Sequence, residues 1–333
     1  MYFHITDTIS KNYPFLGNSA DFLEVLQSQD ENFKRTKISR QVHDRISTIT
    51  SLIKSRTLVF GFVFMSLGTF LIASGLKIPD IFLMSRLLSS VYLAALATYL
   101  YNDLTDYKID KLNNRKIVYG SKKEQYNITL YSTIGFFAIS LMLAFSINIS
   151  TGIACFTFIG LGIAYSHPRT HYKDRFFLKT VITAAGGFIV STMGFLAQEN
   201  FTYLGIVSSV IVFSFWFILG PLGDVGDIRG DRQGGRRTIP IVIGMKKTFI
   251  MMISVASSIA MLILLTHHFL GVHTIGVLLG VAVCAFAIYK ISNLSRQYEN
   301  RNKLKQTRIT LRYSIFGIQV ALFLGSALNT ALG

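Results

Sequence analysis

From residue 57 onward the chain alternates apolar runs of about 20 residues with polar stretches. A helix needs about 20 apolar residues to cross the hydrocarbon core of a bilayer. Nine runs approach that length, over 57–77, 82–101, 126–146, 148–165, 180–198, 202–222, 248–267, 271–289 and 313–332. They predict an all-α, polytopic membrane protein with nine transmembrane helices in one bundle. The stretches 78–81, near 147, 199–201 and 268–270 are short enough to make the helices they join antiparallel neighbours. No Pro/Gly/Ser-rich linker divides the chain. It reads as an N-terminal extension over 1–50 followed by one transmembrane domain over 51–333.

Charge then orients the bundle. Only 15% of the 333 residues are charged, against roughly a quarter in a soluble domain. The formal net charge is nevertheless +16, and 31 of the 33 Lys and Arg fall in 1–56, 103–125, 167–179, 224–247 and 290–312. These segments all lie on one side of a nine-span topology, and the other side keeps only Lys77 and Arg86. Lys and Arg accumulate on the cytoplasmic side. The N-terminus and the long charged loops are therefore expected in the cytoplasm and the C-terminus outside. The excess charge is explained by topology and by attraction to anionic headgroups of membrane lipids, so no nucleic-acid partner is expected. Cys155 and Cys284 both sit inside apolar runs and read as small buried hydrophobes.

The chemistry concentrates at two of the cytoplasmic ends. After the second run stand Asn102, Asp103, Asp106 and Asp110; after the sixth stand Asp224, Asp227 and Asp231. The two aspartate triples share the spacing D-x-x-D-x-x-x-D, offset by 121 residues at every position. Positions i, i+3 and i+7 fall on one helix face. Each triple therefore places three like charges close together, an arrangement that calls for cations among them. Oxygen donors without His or Cys select Mg²⁺ or Mn²⁺ over zinc. Basic residues follow both motifs: Arg115, Lys116, Lys122 and Lys123 after the first, Arg229, Arg232, Arg236 and Arg237 with the second. A third basic stretch, Arg169, Lys173 and Arg175, lies in the loop between. Carboxylates with a basic rim suit a diphosphate, held by metal on one side and by Arg and Lys on the other.

Over about residues 50–333 the chain resembles the UbiA superfamily of intramembrane prenyltransferases. The family's N-D-x-x-D-x-x-x-D motif is matched by Asn102, Asp103, Asp106 and Asp110. Its second motif, G-D-R-x-x-G-x-x-T-x-P, is matched by Gly230, Asp231, Arg232, Gly235, Thr238 and Pro240, with Asp227 ahead of it. Tyr165-Ser166-His167-Pro168 resembles the family's Y-S-x-P.

The resemblance implies a UbiA-like fold and two Mg²⁺ ions, one per motif, gripping the diphosphate of an allylic prenyl donor. Asp103, Asp106, Asp227 and Asp231 would be catalytic, with Asn102, Asp110 and Asp224 completing the metal ligands. Arg115, Lys116, Arg169, Lys173, Arg232 and Arg236 would bind diphosphate, and Tyr99, Phe213, Trp216 and Phe217 would face the isoprenoid and its cation. The second substrate would be a hydrophobic or amphiphilic acceptor. Two departures bear on it: the Y-x-x-x-K seen in many members before the second motif is Leu219 and Gly223 here, and the prolines of an R-P-x-P-S-G-like stretch are lost after Arg115. Open acceptor classes are a quinone precursor, a tetrapyrrole, a carotenoid and a glycerol-phosphate lipid. The second motif resembles that of members that make digeranylgeranylglyceryl phosphate or quinone precursors, and the loop cations favour geranylgeranylglyceryl phosphate. A terpene cyclase of the same fold, or a cation pathway through the aspartates, are the alternatives.

Overall fold

A computed structural model describes Ser47, Thr50, Ile53 and residues 58–112, 123–170, 172–233 and 235–332, with the side chains at 107–112, 123, 124, 174 and 332 outside that description. Almost all of the extension read over 1–50 also lies outside it.

Each apolar run becomes a helix. In chain order these are α1 (Val59–Ser74), α2 (Ile81–Leu112), α3 (Lys123–Phe145), α4 (Ile149–Ser166), α5 (Leu178–Ala197), α6 (Tyr203–Gln233), a short α7 (Ile239–Ile243), α8 (Met245–Leu270), α9 (Thr274–Ser295) and α10 (Arg301–Leu332). A 3₁₀ turn, Tyr172–Asp174, lies between α4 and α5, and there is no strand among the described residues. Local chemistry sets several ends. Asn148 accepts a bond from the Thr151 N–H at 2.8 Å and starts α4. Gly271 takes a left-handed φ of 64° and ends α8.

Eight of these helices are long and apolar enough to cross a membrane. The ninth, α1, has 16 residues, about 24 Å at 1.5 Å per residue, and is shorter than the run 57–77 suggests. Three helices outlast their apolar runs: α2 continues past 101 to Leu112, α6 past 222 to Gln233, and α10 begins at Arg301 rather than 313. Hydropathy marks where polar side chains begin. The backbone keeps its own hydrogen-bond ladder until something breaks it. Even Pro221 is carried inside α6. Both aspartate motifs therefore ride on rigid helical extensions rather than on loops.

Neighbouring helices pack in sequence order, with α1 also touching α2, α5, α6 and α10. Two apolar clusters result. One joins α1, α2, α3, α4 and α5; the other joins α1, α6, α8, α9 and α10; Trp216 packs against both. Glycines set the closest approaches. A Cβ at Gly276 would stand 2.5 Å from the Gly325 Cα, so α9 and α10 meet backbone to backbone. Ile134, Met142, Ile153, Phe156, Leu278 and Phe286 are exposed, as the lipid-facing side of such a bundle requires.

Candidate active site

A cavity of about 340 Å³ opens between α1, α2, α4, α5 and α6. Its walls differ sharply. One end carries Asn102 and Asp106 from α2, Asp227 and Asp231 from α6, and the cations Lys173, Lys179 and Arg236. The rest is Phe62, Tyr99, Phe158, Tyr165, Trp216 and small or aliphatic side chains.

The acidic end is cross-linked by basic residues from three different segments. Lys173 ion-pairs with Asp106 and Lys179 with Asp224, and Arg236 Nη1 lies 3.5 Å from Asp231 Oδ1. Backbone geometry delivers each of them. Phe177 has φ 62°, rare for a bulky residue. It stands at the joint between the turn holding Lys173 and the helix holding Lys179. Gly235 has φ 69° with open space around it, so a glycine is needed there for its conformation rather than its size. That turn lets the Arg236 N–H donate to the Asp231 carbonyl at 2.8 Å and folds its side chain back over α6. Thr238 and Pro240 then start α7, with proline in its first turn. The Tyr-Ser pair of α4 serves the same site: the Ser166 hydroxyl donates to Asn102 Oδ1 at 2.9 Å, and Tyr165 stands within electrostatic reach of Asp106, Asp224 and Arg236.

The structure brings together only part of the residue set read from the sequence. Asn102, Asp106, Asp227, Asp231, Lys173 and Arg236 line the cavity. Asp103 is half-buried outside the lining, and Asp224, 3% exposed, turns to Lys179. Arg169 and Arg232 are exposed and do not line the cavity. The Asp110 side chain, Arg115 and Lys116 lie outside the described residues. Of the aromatic candidates, Tyr99 and Trp216 line the cavity, while Phe213 and Phe217 stack on each other with centroids 6.3 Å apart. Lys179, Phe62 and Phe158 are additions. Lys179 carried a faint signal, a lone cation in the first turn of an apolar helix.

The aromatic wall is held rigidly. The Trp216 indole lies flat on α5, where a Cβ at Gly187 would meet it at 2.4 Å. It stacks on Phe62 at 5.2 Å and 22°, and its Nε1–H donates to the Met65 sulfur at 3.2 Å. Phe62 in turn meets Tyr99 and Phe158.

Whether this end suits a divalent cation can be judged from its donors. Asp231 Oδ2 is buried without a hydrogen-bond partner, a costly state for a carboxylate oxygen. The lining supplies hard oxygens and neither His nor Cys, which fits Mg²⁺. Among the described residues no three His, Cys, Asp or Glu side chains converge tightly enough to hold an ion alone. A ligand that brings its own oxygens would complete the shell. The cavity is thus built for an amphiphile with an anionic head and an apolar chain.

Known proteins place this architecture. A digeranylgeranylglyceryl phosphate synthase from Sulfolobus acidocaldarius is 25% identical over 261 residues, 77% of this chain and 90% of its own. One from Methanosphaera stadtmanae is 29% identical over 159 residues, 47% of this chain; the chain spans only 56% of that relative's length. A solved structure concerned with digeranylgeranylglyceryl phosphate synthase in membranes aligns with TM-score 0.65 at 20% identity, over 86% of this chain and 99% of the other. A UbiA homologue from Archaeoglobus fulgidus bound to GPP and Mg²⁺ aligns with TM-score 0.58 at 15% identity, over 83% and 99%. At these identities the structural matches speak for the fold alone. The model of the UbiA prenyltransferase family matches residues 60–315, and the chain belongs to that family.

Proposed function

We propose that the protein transfers a prenyl group from an allylic prenyl diphosphate to a glycerol-phosphate lipid acceptor in the membrane, with Mg²⁺ as cofactor. One observation carries the reading: a single cavity presents carboxylates and cations of α2, α5 and α6 at one end and an aromatic wall at the other. The relatives from S. acidocaldarius and M. stadtmanae, both digeranylgeranylglyceryl phosphate synthases, favour geranylgeranylglyceryl phosphate as acceptor.

Asn102 and Asp106 on one helix, and Asp227 and Asp231 on the other, would hold one Mg²⁺ per motif. Held there, Mg²⁺ would supply Lewis-acid stabilisation of the diphosphate as a leaving group. Lys173 and Lys179, which pair with Asp106 and Asp224, would donate to diphosphate oxygens at this same end. Arg236 supports the same charge from the α6–α7 turn. The donor's C1–O bond breaks, and the allylic cation forms against Tyr99, Phe62 and Trp216, whose π-faces stabilise it and keep water away. The acceptor hydroxyl oxygen attacks C1, and its proton passes to the released diphosphate. The 31 clustered Lys and Arg support a cytoplasmic position for this end and for the N-terminus.

The test is an assay of the purified protein in detergent with Mg²⁺ and geranylgeranyl diphosphate. Geranylgeranylglyceryl phosphate and an aromatic quinone precursor are offered in parallel. The expected result is an ether product from the glyceryl phosphate together with released diphosphate, both lost in EDTA. Prenylation of the aromatic acceptor alone would move the acceptor assignment. A cyclic hydrocarbon formed without any acceptor would replace transfer by cyclisation.

A further inference from the structure

The mechanism uses the cations that reach the cavity from α5 and from the loops beside α5 and α6. It leaves a separate pair on α10. Arg308 and Arg312 stand one turn apart, and both are half-buried. They belong to the inward side of α10, interleaved with buried Leu304, Leu311 and Ile315. Arg308 lies against α6: its Nη2 is 3.8 Å from where a Cβ at Gly223 would be. A Cβ at 223 would be in ordinary contact with the guanidinium, and a bulky side chain there would crowd it. Leu304 packs one turn earlier, 3.0 Å from a Cβ at Gly226. Arg312 stands within electrostatic reach of Arg308 and of Tyr99, a residue of the cavity wall.

Two guanidinium groups at i and i+4 repel each other, and partial burial removes much of the water that would screen them. Neither makes an ion pair or a hydrogen bond with a described residue. The pair occupies a distinct position from the diphosphate cations. Gly223, against which Arg308 lies, shares a face of α6 with the cavity-lining Asp227, one turn away. Arg312 stands at the level of Tyr99, one turn deeper than Asp103 along α2. Two forked donors one turn apart on one helix can share an anion that approaches from the α10 side.

We propose that Arg308 and Arg312 form a second anion site, which takes the phosphomonoester of the lipid acceptor and sets its hydroxyl toward the cavity. The proposal rests on the prenyl-transfer reading. It adds that the two substrates' phosphates are held by different residues, the diphosphate between α2 and α6 and the monoester by α10. The glycine at 223 is then part of the acceptor site, because it admits Arg308.

Binding of geranylgeranylglyceryl phosphate to the purified protein in EDTA isolates this site, since the metal-dependent grip on diphosphate is absent and no turnover is needed. The wild type is expected to bind it. Arg312→Gln and Arg308→Gln are each expected to weaken binding by about 10–100-fold, the range for losing a hydrogen bond to a charged group. Binding of the dephosphorylated alcohol should not change, and Arg312→Lys should recover part of the loss. Gly223→Leu, which leaves both arginines in place and displaces one, should reproduce the Arg308→Gln effect. In turnover the acceptor KM should rise while the donor KM stays constant.

Equal loss of binding for phosphate and alcohol in well-folded variants would overturn the site. So would undiminished preference for the phosphate. Competition by inorganic phosphate or phosphatidylglycerol as strong as by the acceptor itself would make the pair a general anion or headgroup contact, and would also overturn it. If the wild type binds the phosphate through these arginines yet prenylates nothing, the reaction reading fails and the site stands.

Discussion

Asp231→Asn is expected to lower kcat/KM for prenyl transfer by about 10³-fold while leaving the protein as stable as the wild type, or more so. The loss of rate follows from charge. The carboxylate stands at the polar end of the cavity with one oxygen buried and unpartnered. In the proposed mechanism it supplies negative charge to a divalent ion on the leaving diphosphate, and removing one such preorganised electrostatic contact costs about 10²–10³-fold or more. The stability follows from the same oxygen. A buried carboxylate oxygen without a partner is a debt the fold carries for function, and a neutral amide of the same shape relieves it. The contact given up, Arg236 at 3.5 Å, involves a guanidinium 28% exposed, so little is lost with it. Steady-state kinetics and thermal unfolding in one detergent check both halves. Loss of activity and stability together would mark Asp231 as structural.

The second large effect lies in the packing. Gly194 of α5 meets α1 so closely that a Cβ there would stand 2.1 Å from the Ser66 carbonyl oxygen, 2.1 Å from Thr69 Oγ1 and 2.7 Å from the Phe70 N. Two of those three atoms are backbone, so no rotamer change relieves the clash. Gly194→Ala must push the helices apart, and overpacking of this kind costs about 2–3 kcal/mol. Thr69 also loses geometry, since its hydroxyl donates to the Ser191 carbonyl across the same crossing. The damage should spread to activity, because α1 also carries Phe62 and Met65, which hold Trp216 in the cavity wall. Gly160 supplies the control. It is a helical glycine with open space at its Cβ, and Gly160→Ala should be neutral or stabilising by about 0.5–1 kcal/mol. Melting temperatures of the two variants in detergent decide the matter. A neutral Gly194→Ala would mean that α1 and α5 are not packed as described.

The contrast between those glycines shows where sequence reasoning reaches and where it stops. Apolar runs and the one-sided Lys and Arg are properties of single segments, so the helices and the family were legible. The aspartate spacing is local too, and it placed Asp106, Asp227 and Asp231 on helix faces correctly enough for all three to line one cavity. What depends on two distant segments was not legible. Nothing near Lys179 tells that it crosses 45 residues to Asp224. Nothing in α6 separates Trp216, which faces the cavity, from Phe213 and Phe217, which stack beside it. α6 buries residues on several faces, so its pattern has no polar side to give a direction. The apolar runs mark only part of α2, α6 and α10, because hydropathy reports the solvent around a helix rather than its backbone.

The central claim is that the two aspartate motifs hold divalent metal jointly, through the oxygens of a diphosphate. Electron paramagnetic resonance of Mn²⁺ tests it most directly. Mn²⁺ is titrated into the purified protein with and without geranylgeranyl thiolodiphosphate, an analogue whose diphosphate does not leave. Tight Mn²⁺ binding that requires the analogue, and that is lost in both Asp106→Asn and Asp231→Asn, is the predicted result. Mn²⁺ binding that ignores the analogue, or survives both substitutions, would contradict the account.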